Sequence, residues 1–460
     1  MACIRPCVSG VFLQMTYSSF LRQGFGLVFG LTMGMAVLGA SQPGENSATV
    51  KIPAVLLIEP RDATPIDGQI LASQRRLKSS AFPGSELERL GWLFIAKARA
   101  SSDPGFFTLA GIAADALENN FALPQEAWLL RGHVRQTRHR FSEAEEIARR
   151  LVAARGGAAD YALLGDALYD EGRIAEAAAA YQQMIDLKPS LDSYARAANI
   201  RWIKGDLAGA IQLQTLAVRS GGPGDAGALA WCLCRLGQLV WQQGNGADAM
   251  ACAARALELV PEFEPALLLQ GRLLLSAGRA TDALVPLARA IAILPLPESR
   301  WVYAEALRAA GRSGEATVIE EQLVREGKAE DPRTVALFLA TRGREASLAV
   351  QLARNELAVR RDVMTHAANA MALAGAGRIE EAAIQSRASL VEGTSDPRLL
   401  LYAGHIAARA GQADAADLLA RADHLSPLLL PSERELLRVS FSLLPPGPRP
   451  EGQLTTTYTQ

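Results

Sequence analysis

Aromatic side chains make up only 6% of this 460-residue chain, and runs of β-branched residues are scarce. These are the residues that fill strands, so their shortage argues for helix almost everywhere after residue 85 and against sheet. Cysteine is rare too, with five residues in all. Cys3 and Cys7 lie near the start, no C-x-x-C occurs, and Cys232, Cys234 and Cys252 are too few for a disulfide framework. Neither sign of charge dominates: 47 basic side chains stand against 48 acidic ones, for a net charge of -1. Without a long basic block to neutralise phosphates, nucleic acid is not an expected partner.

Catalytic signatures are missing as well. There is no G-x-S-x-G and no H-E-x-x-H, and Glu326-Gly327-Lys328 is followed by alanine, so it is no P-loop. "GPGDAG", from Gly222 to Gly227, has the spacing of a dinucleotide-binding loop, yet it follows a helical pattern and no strand, which makes it a turn. The histidines (His133, His139, His366, His405 and His424) have no carboxylate cluster beside them that completes a metal ligand set. No catalytic residue, metal ligand or cofactor is assigned, and the chain is not expected to be an enzyme.

What the chain has in quantity is small and apolar. The uncharged run from Gly24 to Ala40 follows Arg22 and ends in small residues, the pattern of a secretory signal cleaved near Ser41. Met15 would begin a signal of more ordinary length. Residues 1–40 are therefore read as a signal that directs export to the periplasm or the exterior. The alternative is an uncleaved inner-membrane anchor over residues 24–40, which would make the protein membrane-tethered. Residues 41–84 read as an irregular lead-in.

From there on the sequence repeats. "GRIAEAAAAYQQMIDLKP", Gly172 to Pro189, returns as "GRATDALVPLARAIAILP", Gly278 to Pro295. Turn positions fall at His139, Gly172, Gly205, Gly244, Gly278, Gly311, Arg344, Gly377 and Gly411, spaced by 33 or 34 residues except for one gap of 39. Seven places earlier stand Gly132, Gly165, Ala198, Gly237, Gly271, Ala304, Leu337, Ala370 and Gly404. Five places later stand Ala144, Ala177, Ala210, Ala249, Ala283, Ala316, Ala349, Ala382 and Ala416. Small residues in register let two antiparallel helices approach closely. Each pair leaves an apolar face that the next pair covers, which gives an all-α solenoid.

This pattern resembles the tetratricopeptide repeat (TPR) family. Trp128, Tyr161 and Tyr194 stand at its Trp position, Leu164-Gly165 and Leu236-Gly237 at its Leu-Gly position, and Pro189, Pro261 and Pro295 at its end. The resemblance implies a right-handed superhelix of about ten helix-turn-helix repeats over residues 85–425. Glu86 to Glu118 looks like an atypical first repeat, with a longer loop at Asp103-Pro104-Gly105. Asp331-Pro332 and Asp396-Pro397 have the form of helix starts, and the 39-residue gap predicts a longer turn or an extended helix near Ser220 to Gly227. Ser432 and Glu435, in capping-box spacing, mark a capping helix within 426–442, followed by a Pro-rich tail over 443–460.

The resemblance also implies a concave groove lined by the first helix of each pair, one, four and five places after the small residue. Those places give Asp166, Tyr169, Asp170, Asn199, Trp202, Gln238 and Trp241. Aromatic rings beside amides and acids suit an extended peptide, so the expected function is a protein- or peptide-binding scaffold of the cell envelope. An assembly factor or accessory subunit of an envelope enzyme complex is the alternative. Cys234 and Cys252 fall level across their helix pair, which leaves open either a disulfide or two small apolar fillers.

Overall fold

A computed structural model describes residues 52–445, except 61–63, 81, 82, 102 and 122. The predicted signal or anchor, Cys3, Cys7 and the tail from residue 446 lie outside the described residues.

Among the described residues, ten antiparallel helix pairs follow one another between a leading and a closing helix. Helix α1 (Pro65–Ser79) precedes the pairs α2 (Pro83–Ser101) with α3 (Gly105–Phe121), α4 (Pro124–Thr137) with α5 (Phe141–Ala154), and α6 (Ala158–Asp170) with α7 (Ile174–Leu187). Next come α8 (Leu191–Ile203) with α9 (Leu207–Ser220), α10 (Ala226–Gln242) with α11 (Gly246–Leu259), and α12 (Glu264–Ser276) with α13 (Ala280–Ile293). The later pairs are α14 (Pro297–Ala309) with α15 (Ser313–Glu330), α16 (Pro332–Thr341) with α17 (Ala346–Val359), α18 (Val363–Gly375) with α19 (Ile379–Ser389), and α20 (Pro397–Arg409) with α21 (Ala415–His424). Helix α22 (Pro431–Ser442) closes the array, and no strand occurs among the described residues. The fold is an all-α solenoid.

From α6 onward a left-handed turn glycine closes the first helix of each pair, and in the α4–α5 turn His139 takes that place at φ +56°. Gly172 has φ +77°, its N–H donates to the Tyr169 carbonyl, and the Arg173 N–H donates to the Leu168 carbonyl. This pattern satisfies the last free carbonyls and favours glycine, which has no Cβ to clash in the left-handed region. Seven residues earlier the demand is for space: a Cβ on Gly165 would lie 2.3 Å from the Tyr181 ring, and one on Gly271 2.3 Å from Leu287. The alanines from Ala144 to Ala382 in the third ladder are fully buried.

Several details differ from the sequence reading. In the α16–α17 pair the left-handed glycine is Gly343, not Arg344, and the buried small residue is Ala336, not Leu337. Helix α16 is short, and Glu345, itself at φ +42°, adds one residue to the turn and brings Ala349 back into register. In the last pair Ala415 is buried and Ala416 exposed, and α21 begins at Ala415, four residues after Gly411, where α19 begins two residues after Gly377. The lead-in contains α1, whose Thr64 hydroxyl caps Asp67 N–H while the Asp67 carboxylate accepts from Thr64 N–H. Helix α22 is capped by Glu433, which accepts from Leu430 N–H, and Glu435 instead pairs with Arg438. Both Asp-Pro starts do cap helices: Asp331 accepts from Thr334 N–H, and Asp396 from Arg398 and Leu399 N–H. The long gap holds both a 3-10 turn (Pro223–Asp225) and a 17-residue α10. Cys232, Cys234 and Cys252 are unbridged, and burial holds all three thiols above their ordinary pKa.

The superhelix is wound tightly enough to meet itself. Arg361 N–H donates to the Asp170 carbonyl at 3.1 Å, so the α17–α18 loop lies against the α6–α7 turn. The loop before α20 meets the α8–α9 turn, where Lys204 pairs with Glu392 at 3.0 Å. Gln242 donates to the Ser395 carbonyl at 2.8 Å, and Arg272 to the Leu428 carbonyl at 2.9 Å. Ser432 N–H donates to Glu305 at 3.2 Å. An early limb, α6 to α14, is thus covered on its inner side by loops of a late limb.

Candidate functional site

The first helices of successive pairs carry polar side chains on their inner side, and the winding decides what each one meets. Asp166 is 3% exposed and takes both oxygens to Arg196 of α8 at 2.9 Å each, while the Tyr181 hydroxyl of α7 donates to it at 2.8 Å. It braces three helices. Asp170 is 1% exposed, accepts from Gln136 at 2.6 Å and stands 3.3 Å from Arg360 of the late limb. Burial pushes its carboxyl up to about 7, against the pull of Arg360. Tyr169 is buried in the hydrophobic core. None of the three faces an open groove: the α17–α18 loop covers Asp170, Arg196 and Tyr181 engage Asp166, and Tyr169 is core.

Further along, the two limbs stand apart enough to leave a cleft of about 530 Å3, counted to its open mouth. Trp202 of α8, then Arg235, Gln238, Trp241 and Gln242 of α10, and Arg272 of α12 line it from the early limb; Asp396, Arg398 and Leu428 line it from the late limb. Trp202 is 4% exposed, and its indole N–H donates to Gln242 at 2.9 Å. The Arg235 guanidinium lies 5.1 Å from the Trp202 ring centroid, and Arg272 lies 5.8 Å from that of Trp241. Arg235 also donates to Gln238 and, at 3.5 Å, to Asn199. A second cavity, lined by Glu298, Arg333, Met364 and Tyr402 among others, shares Arg398 with this one.

Of the seven residues expected on a groove, Trp202, Gln238 and Trp241 come together in the cleft, and Asn199 reaches it through Arg235. Asp166, Tyr169 and Asp170 do not line it. The expectation that Asp166, Tyr169 and Asp170 line a concave groove is corrected: all three are buried, and the chain's own α17–α18 loop lies over Asp170. Gln242 stands five places after Gly237, in a repeat already used, and Arg272 one place after Gly271, one repeat further, so the spacing rule applied in full would have found both. No local signal places Asp396, Arg398 or Leu428 at the cleft, since they arrive from another turn of the superhelix and Asp396 is readable only as a helix start.

The cleft offers guanidinium groups, indole faces and amides, which bind. Cys232 and Cys234 are buried and Cys252 half-buried, and no group of three His, Cys, Asp or Glu among the described residues is placed to hold a metal. No described helix is long and apolar enough to cross a membrane.

Comparison with known proteins adds the following. A sequence model of the tetratricopeptide repeat matches residues 129–192, 162–226 and 234–296. Among solved structures, the chain is similar to a thermophilic TPR protein of Thermus thermophilus, at 20% identity over 42% of this chain and 96% of that one, with a TM-score of 0.32. It is similar to the Cut9-Hcn1 hetero-tetramer of the APC/C, at 13% identity over 82% and 96%, TM-score 0.36. A human IFIT1 dimer with PPP-AAAA is similar at 16% identity over 62% and 72%, TM-score 0.36. A search of curated proteins finds no match.

Proposed function

The chain is a tetratricopeptide repeat protein, and from that premise we propose that it is a non-catalytic scaffold holding an extended segment of a partner protein in the cleft between its two limbs. The observation that carries this reading is that Arg235 and Gln238, half-buried at the cleft wall, stand beside the buried rings of Trp202 and Trp241. Arginine and tryptophan are the side chains that concentrate binding energy at interfaces, and amides pair with a peptide backbone. A role in protein interaction is what TPR arrays generally support. The finer part of the proposal is that this cleft is the binding face and that the protein acts in the cell envelope after export.

The test begins with a pull-down from the source organism's envelope fraction using the array from residue 41 onward. A retained partner is then titrated against Arg235→Ala, which removes a side chain at the cleft wall without opening the core. We expect binding weaker by about 2 kcal/mol, the scale of an interface hot spot, at an unchanged melting temperature. Unchanged affinity in Arg235→Ala would remove the cleft from the proposal. Intact mass of the purified protein checks export separately, with a mature start near Ser41 expected.

A further inference from the structure

We propose that the junction between the α6–α7 turn and the α17–α18 loop is an acid-tightened latch, in which Asp170 of the early limb and Arg360 of the late limb hold the superhelix closed and let go as pH rises toward neutrality. The backbones touch there. Arg361 N–H donates to the Asp170 carbonyl at 3.1 Å, and a Cβ on Gly172 would stand 2.3 Å from the Arg361 carbonyl oxygen.

Charge at this junction is unevenly matched. Four buried carboxylates, Asp170, Asp331, Glu356 and Asp362, share the guanidiniums of Arg333 and Arg360. Arg360 stands 3.3 Å from Asp170 and 3.6 Å from both Glu356 and Asp362, and Arg333 stands 3.3 Å from Asp362. His139, in the α4–α5 turn, supplies no third cation: its Nε2 lies 3.4 Å from Arg360 Nη2, which can only donate. Burial beside the two arginines holds that imidazole well below its ordinary pKa. Other charges nearby are already engaged or face water. Arg196 takes Asp166, Arg173 pairs with Glu171, and Arg361 is exposed.

Two more carboxylates than cations in a dry junction favour a proton on one of them. The geometry singles out Asp170. Asp362 accepts from the N–H groups of Met364 and Thr365 and meets both arginines. Asp170 has, besides Arg360, only the neutral amide of Gln136, and neither its Oδ1 nor the Gln136 Oε1 has a hydrogen-bond partner. A proton on the Asp170 carboxyl supplies the missing donor. Burial pushes this carboxyl up to about 7; Asp362 and Asp166 add to the effect, while Arg360 and Arg333 oppose it. Asp331, pushed by burial up to about 6, caps α16 within the late limb.

Once the limbs part, Asp170 meets water and returns to the ordinary carboxylate value of about 4. The closed form therefore keeps a proton that the open form releases. Closure is fully supported below about pH 4, weakens roughly tenfold per unit as pH rises to about 7, and changes no further above it. The cleft takes one wall from each limb, so the latch sets how often both walls are in place, with or without a peptide between them.

The Arg361 amide crosses the junction and reports its opening directly. Hydrogen–deuterium exchange of the full chain is followed at this amide from pH 5 to 8 and corrected for the intrinsic pH dependence of exchange, with α11, packed between α10 and α12, as the internal reference. Protection should fall roughly a hundredfold between pH 5 and 7 and then level off. Asp170→Asn, an isostere of the protonated acid, should hold the acid value throughout, and its ratio to the parent separates Asp170 from other titrating groups. Asp362→Asn keeps an oxygen to cap α18 and removes the neighbouring carboxylate, so its plateau should begin at lower pH. Circular dichroism establishes that the variants are folded; if Asp170→Asn is not, the parent and Asp362→Asn decide. Protection that is flat or rises with pH in the parent, an undiminished slope in folded Asp170→Asn, or an unshifted plateau in Asp362→Asn overturns the latch.

Discussion

Trp202 sits where packing and recognition compete, and its surroundings decide between them. The ring is 4% exposed, and its N–H is bonded to Gln242. Trp202→Ala should therefore cost roughly 3 to 5 kcal/mol of stability, the range for a large buried aromatic. A urea melt measures it, and a loss below about 1 kcal/mol would mean the ring is not core. His405 gives a pH signature. Its Nδ1 lies 2.9 Å from the Ser440 hydroxyl, which itself donates to the Leu436 carbonyl, so the imidazole is the donor. Burial, with Arg409 nearby, depresses its pKa to about 4. The ordinary value is about 6.5, so the neutral ring's contribution is complete above that pH and is lost as pH falls through 4, a change of up to about 3 kcal/mol. His405→Asn should flatten the stability profile between those values. Parallel profiles for variant and parent would show that His405 does not contribute.

At the scale of elements, each helix is closed by devices that need only a few neighbouring residues, and here the sequence is most readable. The left-handed glycines and the Asp-Pro starts stand where their residue types predict. Helix α22 shows the limit: two glutamates compete for one cap, and spacing alone selects Glu435. The structure selects Glu433, which is fully buried, accepts from Leu430 N–H and also takes the Arg398 guanidinium and the Tyr402 hydroxyl. Glu433→Ala should cost about 3 kcal/mol, since it strips the buried Arg398 of one of its two carboxylates and leaves the Tyr402 hydroxyl and Leu430 N–H without their acceptor. Glu435→Ala, which removes an exposed pair with Arg438, should leave the melting temperature nearly unchanged. Thermal melts of the two variants decide it, and equal losses would contradict the assignment.

For the whole molecule, closure is the feature that separates this solenoid from an open spiral. Gly205 and Gly278 share nearly the same backbone, φ +77° and +75°, but a Cβ on Gly205 would lie 2.5 Å from the Gly393 carbonyl oxygen, while around Gly278 the space is open. Alanine at either position is strained by about 1 kcal/mol. Gly205→Ala should add roughly 1 to 3 kcal/mol of overpacking and raise hydrogen exchange in residues 390–396. If both variants lose the same stability, the limbs are not in contact in solution.

The sequence by itself determined the repeat, because every contact that defines one helix pair lies within about 34 residues, the span of one tetratricopeptide unit. Small residues at Gly132, Gly165 and Gly271 could be read as close approaches from their spacing alone. In the α16–α17 pair the same reading slipped by one, since Leu337 and Arg344 keep the count while Ala336 and Gly343 keep the geometry. Only the tertiary structure decided which inner-face residues remain accessible. The contacts that cover Asp170 and bring Arg398 opposite Arg272 join residues far apart in the chain, with neighbouring ties spanning 127 to 188 positions. They depend on small rotations summed over several repeats, and no local pattern encodes that sum.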